Sequence, residues 1–306
     1  MTNILVTGGA GFIGFNLVRR LAKMGCDVTV LDDMTTGTPD AIPLLPNVKT
    51  IVDTVTDRGA VERAVKGKSV IFHLAARNIV SSVEAPHADA ATNILGTLNV
   101  LEAAKQTGAW VVYASSSSVY GNAKHFPICE DDPVNLMSPY SASKYAGENY
   151  CQVYLGYGVP VIILRYSNVY GPGQRTVVGG VVARFVEAVL DDKPFQIHGN
   201  GSQTRDFVYI DDAVDATLKA AWSSRAVGQV FNIGTGIETD IYRLLAIVSG
   251  SAEFDGIEHI DNRNIDGIHR RVLNITKANQ LLQWMPTVGL NEGVKMTLEW
   301  YKESNG

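Results

Sequence analysis

The stretch Asn3-Ile4-Leu5-Val6-Thr7-Gly8-Gly9-Ala10-Gly11-Phe12-Ile13-Gly14 decides how this chain folds. Asn3 to Thr7 is an apolar run of strand length. After Gly14 the apolar positions Phe15, Leu17, Val18, Leu21 and Met24 recur at helical spacing. A second apolar run, Asp27-Val28-Thr29-Val30-Leu31, follows and ends at Asp32. The pattern is strand, glycine turn, helix and strand, with an acid at the tip of the second strand.

Each glycine has its own physical use. Gly8 lets the chain turn sharply after the strand. Gly11 lets the backbone approach a pyrophosphate, and Gly14 lets the helix pack close to the strand. The helix N-terminus aims unpaired N–H groups and a partial positive charge at phosphate. Asp32 is placed to accept hydrogen bonds from an adenosine ribose, which favours NAD over NADP. The spacing is G-x-x-G-x-x-G rather than G-x-G-x-x-G. Strand, helix, second strand and terminal acid together mark a nucleotide site.

Whole-chain properties exclude other classes. A chain of 306 residues is long enough for one large α/β domain and a smaller lobe. The net charge of −5 and pI of about 5.7 argue against a nucleic-acid surface. No apolar run reaches membrane-spanning length. The chain enters its first strand at once, so no signal peptide is expected. Cys26, Cys129 and Cys151 are widely spaced and the six histidines are scattered. No disulfide framework and no metal site are expected, and a reducing cytoplasm is the expected location.

Outward from the glycine loop, the alternation continues. Val48–Val52 reads as a strand, and a short helix capped by Asp57 follows. Val70 to Leu74 is a strand ending in Ala75-Ala76, small residues that suit close passage of a cofactor. His73 reads as a packed strand histidine. Ala90 to Thr107 reads as one helix, whose apolar side Asn93 interrupts. That amide is either a cap or buried group, or a brace for active-site backbone. The strand Trp110 to Ala114 ends in Ser115-Ser116-Ser117-Ser118-Val119-Tyr120-Gly121, poor core material but suited to a hydroxyl-rich cleft wall.

Ser138-Pro139-Tyr140-Ser141-Ala142-Ser143-Lys144 opens the next helix. Tyr140 and Lys144 are four apart and share a helical face. An ammonium near a phenol favours the phenolate, so a lowered Tyr140 pKa and a base usable near neutral pH are expected. Beyond it lie the strand Val159 to Arg165, the helix Val181 to Leu190, and the extended segment Phe195 to His198. The helix Ala213 to Trp222, the strand Val230 to Ile233 and the closing helices follow.

These ordered motifs, with Asn232 to Gly236 and Arg205 to Asp212, resemble the extended short-chain dehydrogenase/reductase family, and within it the nucleotide-sugar epimerases. The resemblance covers nearly the whole chain. It implies an α/β fold: a Rossmann-type doubly wound parallel sheet with a smaller C-terminal substrate-binding lobe. The Rossmann domain would span 1–166 and roughly 206–238. The lobe would take roughly 167–205 and 239–306.

The resemblance also implies site residues. NAD would be held by Gly8, Gly11, Phe12, Ile13, Gly14, Asp32, Asp33, Leu74, Ala75, Ala76 and Asn93, together with Tyr140 and Lys144. Tyr140 matches the family's base. Lys144 matches its partner, which also holds the nicotinamide ribose, and Ser116 matches the third catalytic residue. A UDP-sugar would meet Ser116, Ser117 and Ser118 at the sugar and Asn168 and Arg205 at the diphosphate. Backbone at Phe195, Gln196 and Ile197 would meet the base. Arg263 and Asp266 match an Arg-x-x-Asp segment that touches phosphate and uridine ribose. Two departures stand out. Asp53-Thr54 occupies the place of an Asp that touches the adenine. Arg270 falls at the gating position, where it would exclude an N-acetyl group, pair with a sugar carboxylate, or swing into solvent.

Relatives that dehydrate or decarboxylate the sugar carry Asp or Glu directly after the catalytic hydroxyl; this chain has Ser117 and Ser118. The expected reaction is therefore 4-epimerisation of a UDP-hexose through a transient 4-keto sugar. UDP-glucose/UDP-galactose is the expected pair on the strength of Asn168 and the chain length; UDP-glucuronate, suggested by the serine-rich stretch, is the alternative, followed by another nucleotide-sugar dehydratase or reductase and by a non-catalytic NAD-binding protein. The family also implies a homodimer through helices near 95–106 and 140–155.

Overall fold

The computed structural model describes residues 2–37, 42–175, 180–252, 258–261 and 267–305. Five strands precede residue 117: β1 Asn3–Thr7, β2 Asp27–Asp32, β3 Val48–Val52, β4 Val70–His73 and β5 Trp110–Ser116. β6 Val161–Tyr166 and β11 Val230–Ile233 complete one parallel sheet in the order β3-β2-β1-β4-β5-β6-β11. The order reverses between β1 and β4. In a doubly wound sheet, ligands bind outside the carboxyl ends of the strands at that point.

Strand periodicity builds a core on each face. Ile4 and Val6, Val28 and Val30, and Val112 face one buried cluster. Leu5, Leu31, Val111 and Tyr113 face the other. Successive side chains alternate across the sheet, and these β-branched and aromatic runs are covered on both sides.

Helices α1 Phe12–Lys23, α2 Arg58–Val65 and α6 Pro139–Gly156 form where their signals stand in the sequence. Asp57 caps α2 by accepting from Ala60 N at 2.7 Å. Ser138 and Ser141 close a reciprocal capping box on α6, with proline in its first turn.

Two readings change. The single helix expected over Ala90 to Thr107 is α4 Pro86–Ala90, a π-helical turn Ala91–Leu95 and α5 Gly96–Thr107. A short helix, α3 Ile79–Glu84, precedes them and is capped by Asn78. It is too short for periodicity to reveal.

Smaller pairings follow β6. β7 Asn168–Tyr170 pairs with β10 Phe207–Tyr209, and β8 Phe195–His198 with β13 Glu258–Asp261, both parallel. β9 Thr204–Arg205 pairs antiparallel with β12 Thr239–Asp240. α7 Val181–Leu190, α8 Ile210–Ala221, α9 Ile241–Ala252, α10 Thr276–Leu282 and α11 Leu290–Asn305 complete the described elements. No described helix is long and apolar enough to cross a membrane. No described group of His, Cys, Asp and Glu is set to hold a metal ion.

Candidate active site

The carboxyl ends of β1, β4 and β5 open into a cavity of about 910 Å³. Gly8, Gly11, Phe12, Ile13 and Gly14 form one wall, Ser115 to Ser118 another, and Tyr140 and Lys144 face them. Arg19, Arg77, Arg175 and Arg271 also line it, with no Asp or Glu in the described lining. A positively charged cleft of this kind attracts anionic ligands. A smaller adjoining pocket holds Asp32, Asp33 and Asp53 with Leu74, Ala75 and Ala76.

The glycine loop is built for close approach. Gly8 has φ +70°, and a Cβ there would lie 2.6 Å from Ala75 N. A Cβ on Gly14 would lie 2.1 Å from Gly8 O, so no other residue lets α1 start this near the strand. α1 has no side-chain hydrogen bond at its N-cap, Gly11. Its first-turn N–H groups open beside the cavity wall, an arrangement that suits phosphate. Asp32 accepts from Ala10 N at 2.8 Å and from Met34 N at 2.9 Å, which fixes the carboxylate against the loop. Burial raises its pKa and these two N–H donors oppose the rise. Asp33 accepts from Thr35 N at 3.0 Å. A cradle closed to any Cβ, an uncapped helix start and an acidic side pocket together fit a dinucleotide.

Tyr140 and Lys144 reach the cavity because α6 lies close on β5. A Cβ on Gly147 would meet Tyr113 Oη at 2.2 Å, and Tyr113 donates to Lys144 O at 3.1 Å. The Lys144 ammonium lies 4.6 Å from the centroid of the Tyr113 ring. Burial pushes the Lys144 pKa down to about 8, with the nearby Cys151, Asp89 and Glu148 opposing. The expected lowering of the Tyr140 pKa is reversed. Burial raises it, while the Ser116 hydrogen bond and the Arg271 charge pull it down and Asp89 pushes it up. Desolvation of the phenolate outweighs the charges around it.

Asn93 braces the site. Its Oδ1 accepts from Arg77 N at 2.9 Å, and its Nδ2 donates to Asp89 Oδ1 at 2.7 Å and to Ser143 Oγ at 3.0 Å. One amide in the π turn thus ties the loop after β4 to the helix of Tyr140 and Lys144. Ser116 accepts from Ser118 N at 3.1 Å and caps a 3-10 turn, Ser117–Tyr120. His73 is packed, as its place in a strand predicts. It joins Thr7 Oγ1 at 2.7 Å and Thr97 Oγ1 at 3.0 Å, and burial holds its pKa down to about 3.

Not every expected residue meets here. Asn168 does, with its Oδ1 buried and lacking a hydrogen-bond partner. Asp53 reaches the side pocket, whereas Thr54 is not in its lining. Phe195, Gln196, Ile197, Arg205 and Arg270 are not in the described lining of either pocket. Phe195 and Ile197 are core residues, and Arg205 donates to Ile268 O at 3.1 Å. Arg270 donates to Glu238 Oε1 at 2.6 Å and Oε2 at 2.7 Å, and its guanidinium carbon lies 4.1 Å from the Phe126 ring centroid. Arg263 and Asp266 lie outside the described residues. Arg77, Arg175 and Arg271 join the site without a sequence signal.

Residues 4–234 match the NAD dependent epimerase/dehydratase family. The chain belongs to this family. A relative from Methanocaldococcus jannaschii, named as a putative UDP-glucose 4-epimerase, is 39% identical over 99% of each chain. A crystal structure of UDP-glucose 4-epimerase with UDP-glucose from Thermotoga maritima superposes with a TM-score of 0.95. It is 36% identical and covers 100% of both chains. The UDP-glucuronic acid 4-epimerase of Bacillus cereus, solved with UDP-glucuronic acid and NAD, has a TM-score of 0.93 at 31% identity. It covers 99% of this chain and 100% of that one. Family membership makes the chain an NAD-dependent enzyme, and the glycine cradle, α1 and Asp32 are the parts that would hold the dinucleotide.

Proposed function

We propose that this chain is a 4-epimerase of a UDP-hexose. One observation carries the reading. Tyr140, Ser116 and Lys144 converge on the dinucleotide cavity, and the described lining offers no carboxylate for elimination or decarboxylation. When bound, NAD supplies the acceptor and then the donor of the C4 hydride. Tyr140 would take the O4 proton and later return it, its phenolate disfavoured by burial and supported by the Ser116 hydrogen bond and the Arg271 charge. The Ser116 hydroxyl, hydrogen-bonded to Tyr140, holds that proton path in line. Lys144 would meet the nicotinamide ribose and hold Tyr140's neighbourhood positive. Asn168 offers a buried amide oxygen and its NH₂ group toward the sugar nucleotide.

The neutral UDP-glucose/UDP-galactose pair is supported by Asn168 and by the names of relatives. The serine-rich strand end and the likeness to the Bacillus cereus UDP-glucuronic acid 4-epimerase support UDP-glucuronate as the alternative. The two-lobe division, residues 1–166 with roughly 206–238 against roughly 167–205 with 239–306, is part of the same proposal. So is a homodimer, supported by the exposed apolar side chains Leu95, Val153 and Tyr157 on or beside α5 and α6. Tyr140→Phe tests the reaction: turnover should vanish while NAD still binds, and an active, folded variant would refute the role of Tyr140.

A further inference from the structure

The N–H groups at the start of a helix have no partner inside it, and α6 satisfies them in different ways. Ser138 N donates to Ser141 Oγ at 3.0 Å, and Ser141 N donates to Ser138 Oγ at 3.1 Å. Pro139, the first helical residue, has no N–H to satisfy. Ala142 N closes onto Ser138 O at 3.0 Å. Tyr140 N is the exception. It donates at 3.2 Å to Oγ of Ser82, fifty-eight positions earlier, on α3.

Ser82 is fully buried, and its hydroxyl is held in one direction. It donates its single proton to Ile79 O at 2.7 Å, which leaves its lone pairs for Tyr140 N. Its backbone is fixed as well. Ser82 N donates to Asn78 O at 3.0 Å, and Asn78 Oδ1 caps α3 by accepting from Ser81 N at 2.9 Å. Arg77, Asn78 and Ile79 line the cavity, whereas Ser82 is not in its described lining. A second buried serine takes the other side of the same residue: Ser143 Oγ donates to Tyr140 O at 3.0 Å. The backbone of Tyr140 is thus gripped at its N–H and its C=O, while its phenol meets Ser116.

We propose that Ser82 is a positioning residue for the 4-epimerase reaction. By taking the N–H at the start of α6 it sets the Tyr140 phenol in line with Ser116, and it makes the wall from Arg77 to Ile79 part of that setting. The inference rests on the reading of Tyr140 as the base. Ser82 acts only through the Tyr140 backbone, so its removal takes no contact from a ligand. A displacement of about 1 Å in a reacting group costs up to about 100-fold in rate. The loss therefore falls on kcat and leaves KM in place.

The test measures kcat and KM for UDP-glucose and UDP-glucuronate on the protein supplied with NAD, using wild type, Ser82→Ala, Ser82→Cys, Ser82→Thr and Tyr140→Phe. Rates are expressed per NAD site titrated by calorimetry, so that an unfolded fraction does not count as lost kcat. Ser82→Ala should lower kcat and kcat/KM together by about tenfold or more, with KM within about twofold of wild type. Ser82→Thr keeps the hydroxyl and should stay within about threefold of wild type. Ser82→Cys, of similar size and a weaker acceptor, should fall between wild type and Ser82→Ala, and it decides the matter if Ser82→Ala does not fold. Wild-type kcat in Ser82→Ala or Ser82→Cys, or a raised KM with kcat unchanged, overturns the inference and leaves epimerisation standing. An active Tyr140→Phe, or no turnover of either sugar by wild type, overturns the reading of Tyr140 and the inference with it.

Discussion

Glu148 and Arg165 form a buried ion pair, with Arg165 Nη2 2.6 Å from Glu148 Oε2 and Arg165 Nε 2.9 Å from Oε1. Glu148 lies one turn beyond Lys144 on α6, and Arg165 lies on β6. Ser115 donates to the same carboxylate, and Arg165 Nη1 reaches Tyr120 Oη at 2.9 Å. Tyr120 in turn donates to Asn232 at 2.7 Å. The helix that carries Tyr140 and Lys144, the serine-lined strand end and β11 are thereby joined by one polar network. Such networks rigidify a site when every member is satisfied.

Glu148→Ala should therefore destabilise the fold by about 3–5 kcal/mol, because Arg165 is left buried without its countercharge. Urea unfolding measures this. A loss below about 1 kcal/mol would mean that the network contributes little.

Lys144 gives a stability prediction of opposite sign. Its ordinary pKa of 10.5 is lowered to about 8 in the fold. The unfolded chain keeps the proton up to the higher value, so the buried ammonium costs stability fully below pH 8. The cost fades as pH rises from 8 to 10.5. At pH 7 it is on the order of 3 kcal/mol. Lys144→Met should raise Tm while abolishing turnover. A lower Tm would contradict the burial cost.

His73 sets part of the acid limit. The unfolded side chain takes a proton near pH 6.5, whereas the packed ring resists it down to about 3. Stability should fall by the uptake of one proton as pH drops through this window. His73→Gln should remove that slope from a series of denaturation midpoints against pH. An unchanged slope would assign the acid limit elsewhere.

Asn93→Ala should leave Arg77 N unsatisfied and release Ser143. The expected cost is about 1–3 kcal/mol in stability. A fall in kcat of about tenfold should accompany it, from looser placement of Tyr140 and Lys144. Full activity in the variant would reduce Asn93 to a packing residue.

How much of this is legible in the sequence depends on how local each signal is. The glycine loop, Asp32, the capped start of α6 and the Tyr140/Lys144 pair lie within single elements, so spacing and residue chemistry reveal them. Asn93 pairs with Ser143, fifty positions away in the chain, and no local pattern shows it. Arg271 is hidden for another reason. Two arginines stand side by side, and adjacent residues of an extended segment point to opposite sides. The segment's pairing with Ile128 decides which of them enters the cavity. Arg270 takes Glu238 and Phe126 instead. Likewise the motif acids Asp206 and Asp212 prove to be clasps for backbone, Asp212 accepting from Val288 N at 3.0 Å. The balance of burial against charge at Tyr140 needs the whole surrounding shell, which a helix face alone does not supply.

The most direct measurement follows the sugar's C4 itself. Wild-type protein with NAD would be given UDP-glucuronate and UDP-glucose separately in D₂O, and the products read by NMR. Transient oxidation with return of the same hydride predicts a C4-inverted UDP-hexose that carries no deuterium at C4 or C5. Deuterium at either carbon, or no inverted product from either sugar, would contradict it.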